Sequence, residues 1–416
     1  MSRAPEISVV VPVYGRPEQL DRLLAGLDRQ TLDADRFEVV VADDGSPEPL
    51  RPGPHAYAVR SVHQHDEGFR AAAARNLGAA AARGSVIAFL DQDCVPAPGY
   101  LERVAVAAGD PWALAVGHRR HAELDGWSAD AVRDWLGGSG AAPVELPEPQ
   151  WLLDGYARTD DLQRPDDRAY QLVISAVLSL NRSLFERLGG FDASFRGYGG
   201  EDWELAHRAL VAGADLCWLP DAVAWHDGPD LAGRDEDLAR TKNAETLALA
   251  RRIPDADVRG VGLVWHRPDV VVRLDATGAE VAHVVACVES LLEGTDAQVW
   301  LTGDTPAGRK DAAEVMAMVE DPRIHVGLPE AEVLASARFV VDCAPVVLSG
   351  ATLRSVCVNA PVAAPGFRVA RLRDENRRAR GCLVPPDTVL PEGVWVSVPG
   401  DDLVLERLWQ ARLSSR

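Results

Sequence analysis

Apolar residues along this chain fall into short runs with two alternating periods. Ile7-Ser-Val-Val-Val-Pro-Val-Tyr14 is a β-branched run without polar alternation, which fits a parallel strand buried on both faces. Pro17 stands where a first helical turn accepts it, and Leu20, Leu23, Leu24 and Leu27 follow at helical spacing. Phe37 to Ala42 predicts a second strand that ends in the turn sequence Asp43-Asp44-Gly45-Ser46, and Val59 to His63 predicts a third. The Ala-rich stretch Phe69 to Arg83 predicts a helix, and Val86 to Leu90 a fourth strand running straight into Asp91. This rhythm predicts an open α/β sheet with ligands at the carboxyl ends of its strands.

From His118 to about Arg168 the periodicity fades and Pro, Gly, Asp and Trp become frequent, the pattern of a long binding loop or lid. Order returns with Leu172 to Leu180, a helix over Ser183 to Leu188, and Gly189-Gly-Phe-Asp192. Gly197-Tyr-Gly-Gly-Glu-Asp-Trp-Glu204 then opens a helix ending near Ala212, and Cys217-Trp-Leu-Pro220 and Val223 to His226 predict two short extended pieces. Beyond Pro254 the alternation restarts, with strands at Val270–Leu274, Gln298–Leu301 and Arg338–Asp342 and helices at Glu280–Leu292 and Ala312–Val319. Two domains are expected, residues 1–255 and 256–416. The second echoes the first: a strand ending in Thr302-Gly303-Asp304 parallels the one ending at Asp44, and Ala337 to Pro345 parallels Ser85 to Pro96. Only Asp342 remains there where the first version has two aspartates, so the second domain reads as an accessory α/β domain without catalytic motifs. A degenerate duplicate and an ordinary α/β rhythm both fit it, and acceptor capture or homodimer contacts are the alternative roles expected of it.

Composition narrows the function. Over 416 residues, 43 Lys and Arg face 63 Asp and Glu, a net charge of -20. That argues against nucleic-acid or anionic-membrane partners, which need a concentrated basic face. The six cysteines are scattered with no Cys-x-x-Cys pair, so zinc-ligand spacing is absent and buried free thiols are expected. No signal peptide precedes the first strand and no apolar stretch reaches the ~20 residues of a membrane span. The expectation is a cytoplasmic protein.

Asp91-Gln92-Asp93 directly follows a buried strand. Two carboxylates one residue apart can both turn toward one divalent cation, and hard oxygen ligands suit Mg²⁺ or Mn²⁺ with diphosphate oxygens in the remaining positions. Asp43 and Asp44 can accept hydrogen bonds from a nucleobase imide and a ribose hydroxyl, although a plain turn explains them as well. In Gly68-Phe-Arg-Ala-Ala-Ala-Ala-Arg-Asn-Leu-Gly78 small residues let the helix pack closely, and Arg75 suits diphosphate or ribose recognition. Glu201 and Asp202 are favoured at a helix start by the macrodipole alone, or serve as the base that takes a proton from an incoming hydroxyl. His226, after Trp225, is either structural or a late metal ligand.

In this order the elements resemble the family-2 inverting glycosyltransferases of the GT-A fold, a Rossmann-like mixed sheet, over roughly residues 5 to 230. The landmarks are Val9-Val-Val-Pro-Val-Tyr14, Asp43-Asp-Gly-Ser46, Ala74-Arg-Asn-Leu-Gly78, Asp91-Gln-Asp93 and Glu201-Asp202, while Gly189 to Asp202 resembles a galactosyltransferase carboxyl-terminal motif. The resemblance implies a nucleoside-diphosphate-sugar donor, with a UDP-sugar favoured, and Mn²⁺ or Mg²⁺ as cofactor. It places Pro12, Tyr14, Asp43, Asp44 and Arg75 around the nucleoside, Asp91 on ribose or metal-bound phosphate, and Asp93 and His226 on the metal. Asp202 matches the base and Glu201 a sugar contact. Trp203 departs from the acidic run of galactosyltransferases, so their donor and acceptor preferences do not transfer. The acceptor stays open among a small molecule, a glycan and a peptide.

Two other kinds of protein fit the sequence less well. A sugar nucleotidylyltransferase normally carries a Gly-rich basic loop after the first strand, where this chain has only Tyr14-Gly-Arg-Pro17. A non-catalytic binding or scaffold protein is disfavoured because the first domain keeps every acid the mechanism needs.

Overall fold

The computed structural model describes residues 4–48, 50–197, 199–229, 238–303, 319–349, 352–359, 363–364, 366–382, 384, 395–397, 407 and 410. The chain divides into two compact units, residues 1–210 with 214–248, and residues 211–213 with 249–416.

In the first unit the apolar runs become strands β1 (Ile7–Val13) and β2 (Phe37–Asp43), β3 (Ala58–His63) and β4 (Val86–Phe89), with helices α1 (Pro17–Leu27) and α2 (Ala71–Ala81) between them. Strands β1 to β4 are mutually parallel, as uninterrupted apolar runs require, in the order β3-β2-β1-β4. After the short β5 (Cys94–Pro96) and α3 (Tyr100–Ala107), a ten-residue strand β6 (Ala113–Ala122) enters the middle of the same sheet. The segment expected to be one long loop is therefore ordered. It holds β6, α4 (Ala129–Leu136), the two-residue β7 (Glu145–Leu146) and α5 (Gln150–Arg158). Its alternation was hidden because His118, Arg119, Arg120 and His121 put polar side chains on both faces of β6. Helix α4 rests on a cap rather than on periodicity, since Ser128 Oγ accepts from the Ala131 N–H at 3.2 Å.

Two 3₁₀ turns occupy Ala169–Leu172 and Ser175–Val177, so only Leu178–Asn181 of the next expected stretch is strand, β8. Helix α6 (Arg182–Leu188) follows at once, then α7 (Glu201–Val211). The two extended pieces around Cys217 and Val223 are one strand, β9 (Asp215–Asp227), whose register against β6 shifts at Gly117/His118. The full order is β3-β2-β1-β4-β8-β6-β9-β5, with β8 antiparallel to both neighbours, so the sheet is mixed.

Helix α8 (Leu238–Ala250) carries the chain across the division, and α9 (Ala256–Arg259) belongs to the second unit. Arg338 ties that segment to the second sheet, donating to both oxygens of Asp269 at 2.7 Å and lying 3.2 Å from Asp255. All three side chains are buried, where an ion pair left incomplete would be costly. The second sheet contains β10 (Val270–Asp275) and, after α10 (Val281–Leu292), β11 (Gln298–Thr302) and β12 (Ile324–Val326). Past α11 (Ala331–Ser336) come β13 (Phe339–Cys343), β14 (Val347–Ser349) and α12 (Leu353–Asn359). Then follow β15 (Ala363–Ala364), β16 (Phe367–Arg371), α13 (Leu372–Ala379) and β17 (Trp395–Ser397). The helix expected over Ala312–Val319 lies, but for Val319, outside the described residues, as does Asp304.

The strand order here is β12-β11-β10-β13-β16-β15. As in the first unit, the third, second, first and fourth strands run parallel, and an antiparallel strand follows that leads directly into a helix. The antiparallel pair β14/β17 matches β5/β9. Asp342 is not at a strand end: it lies within β13, opposite Arg273, whose guanidinium donates to both its oxygens at 2.6 and 2.8 Å.

Candidate active site

The parallel strands of the first unit end along one edge, where a cavity of about 370 Å³ is lined by residues of four strand ends and of α2. Pro12 and Tyr14 line it from β1, Asp44 from β2, Arg75 from α2, and Asp91, Gln92 and Asp93 from the turn after β4; His226 joins them from β9. A larger groove of about 710 Å³ between Arg36 and Asp221 holds none of the candidate residues.

At the nucleoside end the two aspartates after β2 differ. Asp43 closes its own turn, accepting from the Ser46 N–H at 2.8 Å and its hydroxyl at 2.6 Å, and does not line the cavity. Asp44 does line it, held by the Gln64 amide at 2.6 Å and the Arg70 N–H at 2.8 Å. Tyr14 is 47% exposed, and its hydroxyl donates to Asp66 at 3.1 Å. That bond raises the phenol's pKa above its usual value.

The acids after β4 also part company. Asp91 Oδ1 accepts from Arg75 Nη2 at 2.7 Å, and Arg75 Nη1 donates to Glu201 Oε1 at 2.7 Å. Burial alone would lower the pKa of Arg75, but the two carboxylates outweigh it and raise it. Asp93 turns instead toward His226, whose Nε2 lies 3.3 Å from its Oδ2. Nδ1 of His226 is 3.2 Å from the Gly228 carbonyl oxygen, which only accepts, so that nitrogen carries the proton. Nε2 of His226 and Oδ2 of Asp93 thus face each other across the cavity wall, one nitrogen and one oxygen of the kinds that ligate a divalent cation. Among the described residues no group of three or more His, Cys, Asp or Glu side chains is placed to hold a metal. A divalent ion here would take two protein ligands and complete its shell with diphosphate oxygens and water, as Mg²⁺ and Mn²⁺ sites commonly do.

Asp202 begins α7 beside Glu201 and accepts from the N–H groups of Trp203, at 2.8 Å, and Ser175, at 3.3 Å. Burial, then the charge of Glu201, pushes its pKa up to about 7 against the pull of these N–H groups and of Arg75. A carboxylate poised there is suited to accept a proton near neutral pH.

Several site residues escaped the sequence reading. Gln92, the middle residue of the acidic turn, accepts the Tyr14 N–H at 3.0 Å and so ties the ends of β1 and β4 together. Arg119 lines the cavity, and His121 pairs with His226 across β6 and β9, its ring 4.9 Å away and its Nδ1 3.0 Å from the same Gly228 carbonyl. Asn76 clamps Phe191, donating to its carbonyl at 2.8 Å and accepting its N–H at 2.9 Å. A Cβ on Gly190 would come within 2.7 Å of Asn76 Oδ1, which explains a glycine there. Apart from the Gly-Gly-Phe signature, all of these depend on residues distant in sequence.

Acid-tipped parallel strand ends over a cavity, joined by an antiparallel return that brings a second pair of acids, define a GT-A-type domain. Residues 8–165 match the model of glycosyl transferase family 2, and residues 165–224 match a model described as the N-terminal domain of galactosyltransferase. The family 2 glycosyltransferase match thus falls within the first unit. A validoxylamine A glucosyltransferase of Streptomyces hygroscopicus subsp. jinggangensis is 35% identical over 239 residues, 52% of this chain and 54% of the relative. A chondroitin synthase of Escherichia coli is 28% identical over 324 residues, 72% of this chain and 46% of the relative. The chain thus spans about half the length of these curated relatives. Among solved structures, a mannosyltransferase of Pyrobaculum calidifontis in complex with GDP-Man and Mn²⁺ aligns at 19% identity and a TM-score of 0.38, over 60% of this chain and 62% of that one. Among the described residues no helix is long and apolar enough to cross a membrane.

Proposed function

We propose that the first unit transfers a sugar, with inversion, from a nucleoside-diphosphate sugar to an acceptor hydroxyl, with Asp202 as the general base. The observation that carries this reading is a carboxylate raised to about 7 at the start of α7, joined through Glu201 and Arg75 to the acid at the end of β4. Pro12, Tyr14 and Asp44 would receive the nucleoside, a UDP-sugar being favoured, while Asp43 shapes the turn beneath it. Asp93 and His226 would hold Mn²⁺ or Mg²⁺, which when bound neutralises the charge building on the leaving diphosphate. Asp202 takes the acceptor's proton as its oxygen bonds to the anomeric carbon and the bond to the diphosphate oxygen breaks. Only ionised Asp202 can do this, so turnover should fall as pH drops below about 7.

The family match and the relatives' names support sugar transfer. Those names, one a validoxylamine A glucosyltransferase and one a chondroitin synthase, leave the acceptor open between a small molecule and a glycan. Residues 256–416 are read as an accessory domain. Asp202→Asn is expected to cut turnover of a UDP-sugar by roughly 10² to 10⁴ while nucleotide affinity stays near that of the wild type. Turnover assays paired with calorimetry check both, and an Asn variant with full activity would remove Asp202 from the mechanism.

A further inference from the structure

Arg75 is 2% exposed and sits where two stretches far apart in sequence meet. One end of its guanidinium holds Asp91 from the end of β4, and the other holds Glu201 from the start of α7. The same guanidinium lies 5.5 Å from the Phe191 ring centroid, and the neighbouring Asn76 binds both backbone groups of Phe191. Swinging Arg75 out toward a ligand would leave the buried carboxylate of Glu201 without its countercharge, which is strongly unfavourable, and would also release Asp91 at the cavity wall. Glu201 is thereby committed. Its sequence neighbour Asp202 is instead held by the backbone N–H groups of Trp203 and Ser175.

We infer that Arg75 is a positioning residue which divides the roles of the two acids at the start of α7. By pairing Glu201 with the end of β4, it keeps Glu201 turned away from the incoming hydroxyl and leaves proton transfer to Asp202. This rests on the reading of Asp202 as base and deepens it. The charges acting on Asp202 are Glu201, from its own helix, and Arg75, from α2; the segment 169–177 packed alongside supplies the Ser175 N–H. The two charges oppose each other. Glu201 favours the protonated form of Asp202, and Arg75 favours the ionised form.

The test is the pH profile of kcat/KM for the full chain with Mn²⁺, with water as acceptor. The donor is whichever of UDP-glucose, UDP-galactose, UDP-N-acetylglucosamine and GDP-mannose is turned over fastest. Arg75→Gln should move the acidic limb to higher pH, and Glu201→Gln should move it to lower pH, each by about one unit. Arg75→Lys, which keeps the charge but loses the fork, should lower kcat with a much smaller shift of the limb. A limb that stays put in Glu201→Gln, and in whichever Arg75 variants fold by circular dichroism, overturns the inference even if all lose activity in parallel. The underlying reading fails separately, if Asp202→Asn keeps the wild-type profile.

Discussion

Asp93 and Asp202, the two acids given roles in the proposed reaction, stand in opposite surroundings, and only Asp93 lines the cavity. Asp93 faces an imidazole at the cavity wall, whereas Asp202 is pressed beside a second carboxylate. The consequence for stability has a definite sign. Asp202 keeps its proton up to about 7 in the folded chain, against about 4 when unfolded. Between those values the folded state binds more protons, so the stability contributed by this group falls as pH rises through that window. Asp202→Asn should therefore melt higher than the wild type at pH 8, with the gap closing toward pH 4. Scanning calorimetry at the two pH values measures this, and an equal or lower melting temperature at pH 8 would contradict a strained carboxylate. The acids themselves were legible as Asp-x-Asp and Glu-Asp. Their different surroundings were not, because those depend on Arg75, which reaches Asp91 and Glu201 through helix packing, and on His226, which strand pairing brings beside Asp93.

At the scale of elements, α2 sets the site because its first turns carry Arg75 and Asn76 and its later turn lies against the sheet. Contact is closest at Gly78, where a Cβ would stand 2.4 Å from Val10 Cγ1 and 3.1 Å from Ala42 Cβ. Gly78→Leu should cost about 1–3 kcal/mol in denaturant unfolding and lower activity with it, by pushing the helix off its seat. A variant as stable and active as the wild type would show that the helix has room there. The parallel strands and α2 were readable because their apolar runs and alanines have one dominant period. β6 was not, since its site-facing Arg119 and His121 alternate with residues as polar as they are, including Arg120, whose guanidinium stacks on Trp225. An element with two polar faces shows no period, although this one occupies the middle of the sheet.

In the molecule as a whole, the second unit repeats the third-second-first-fourth strand order of the first, and among its described residues the Asp91/Asp93 pair has no counterpart. Where the first has Asp91 and Asp93 beyond β4, the second ends β13 in Cys343, and Asp342 is engaged by Arg273 within the sheet. The echo was legible in the sequence as rhythm. The sequence pattern does not show that Asp342 lies one residue inside β13 and pairs with Arg273, because that depends on strand register. The proposed chemistry draws only on residues of the first unit, so a protein shortened to end near residue 250 should retain Mn²⁺-dependent UDP binding within a few fold. Loss of binding in a shortened protein that remains folded would give the second unit a part in the donor site. The most direct test of the account is a calorimetric titration of UDP into the full chain, with and without Mn²⁺, for the wild type and Asp93→Ala. The account predicts binding that requires Mn²⁺ in the wild type and is lost in Asp93→Ala. Equal UDP affinity with and without the metal, unchanged in the variant, would contradict it.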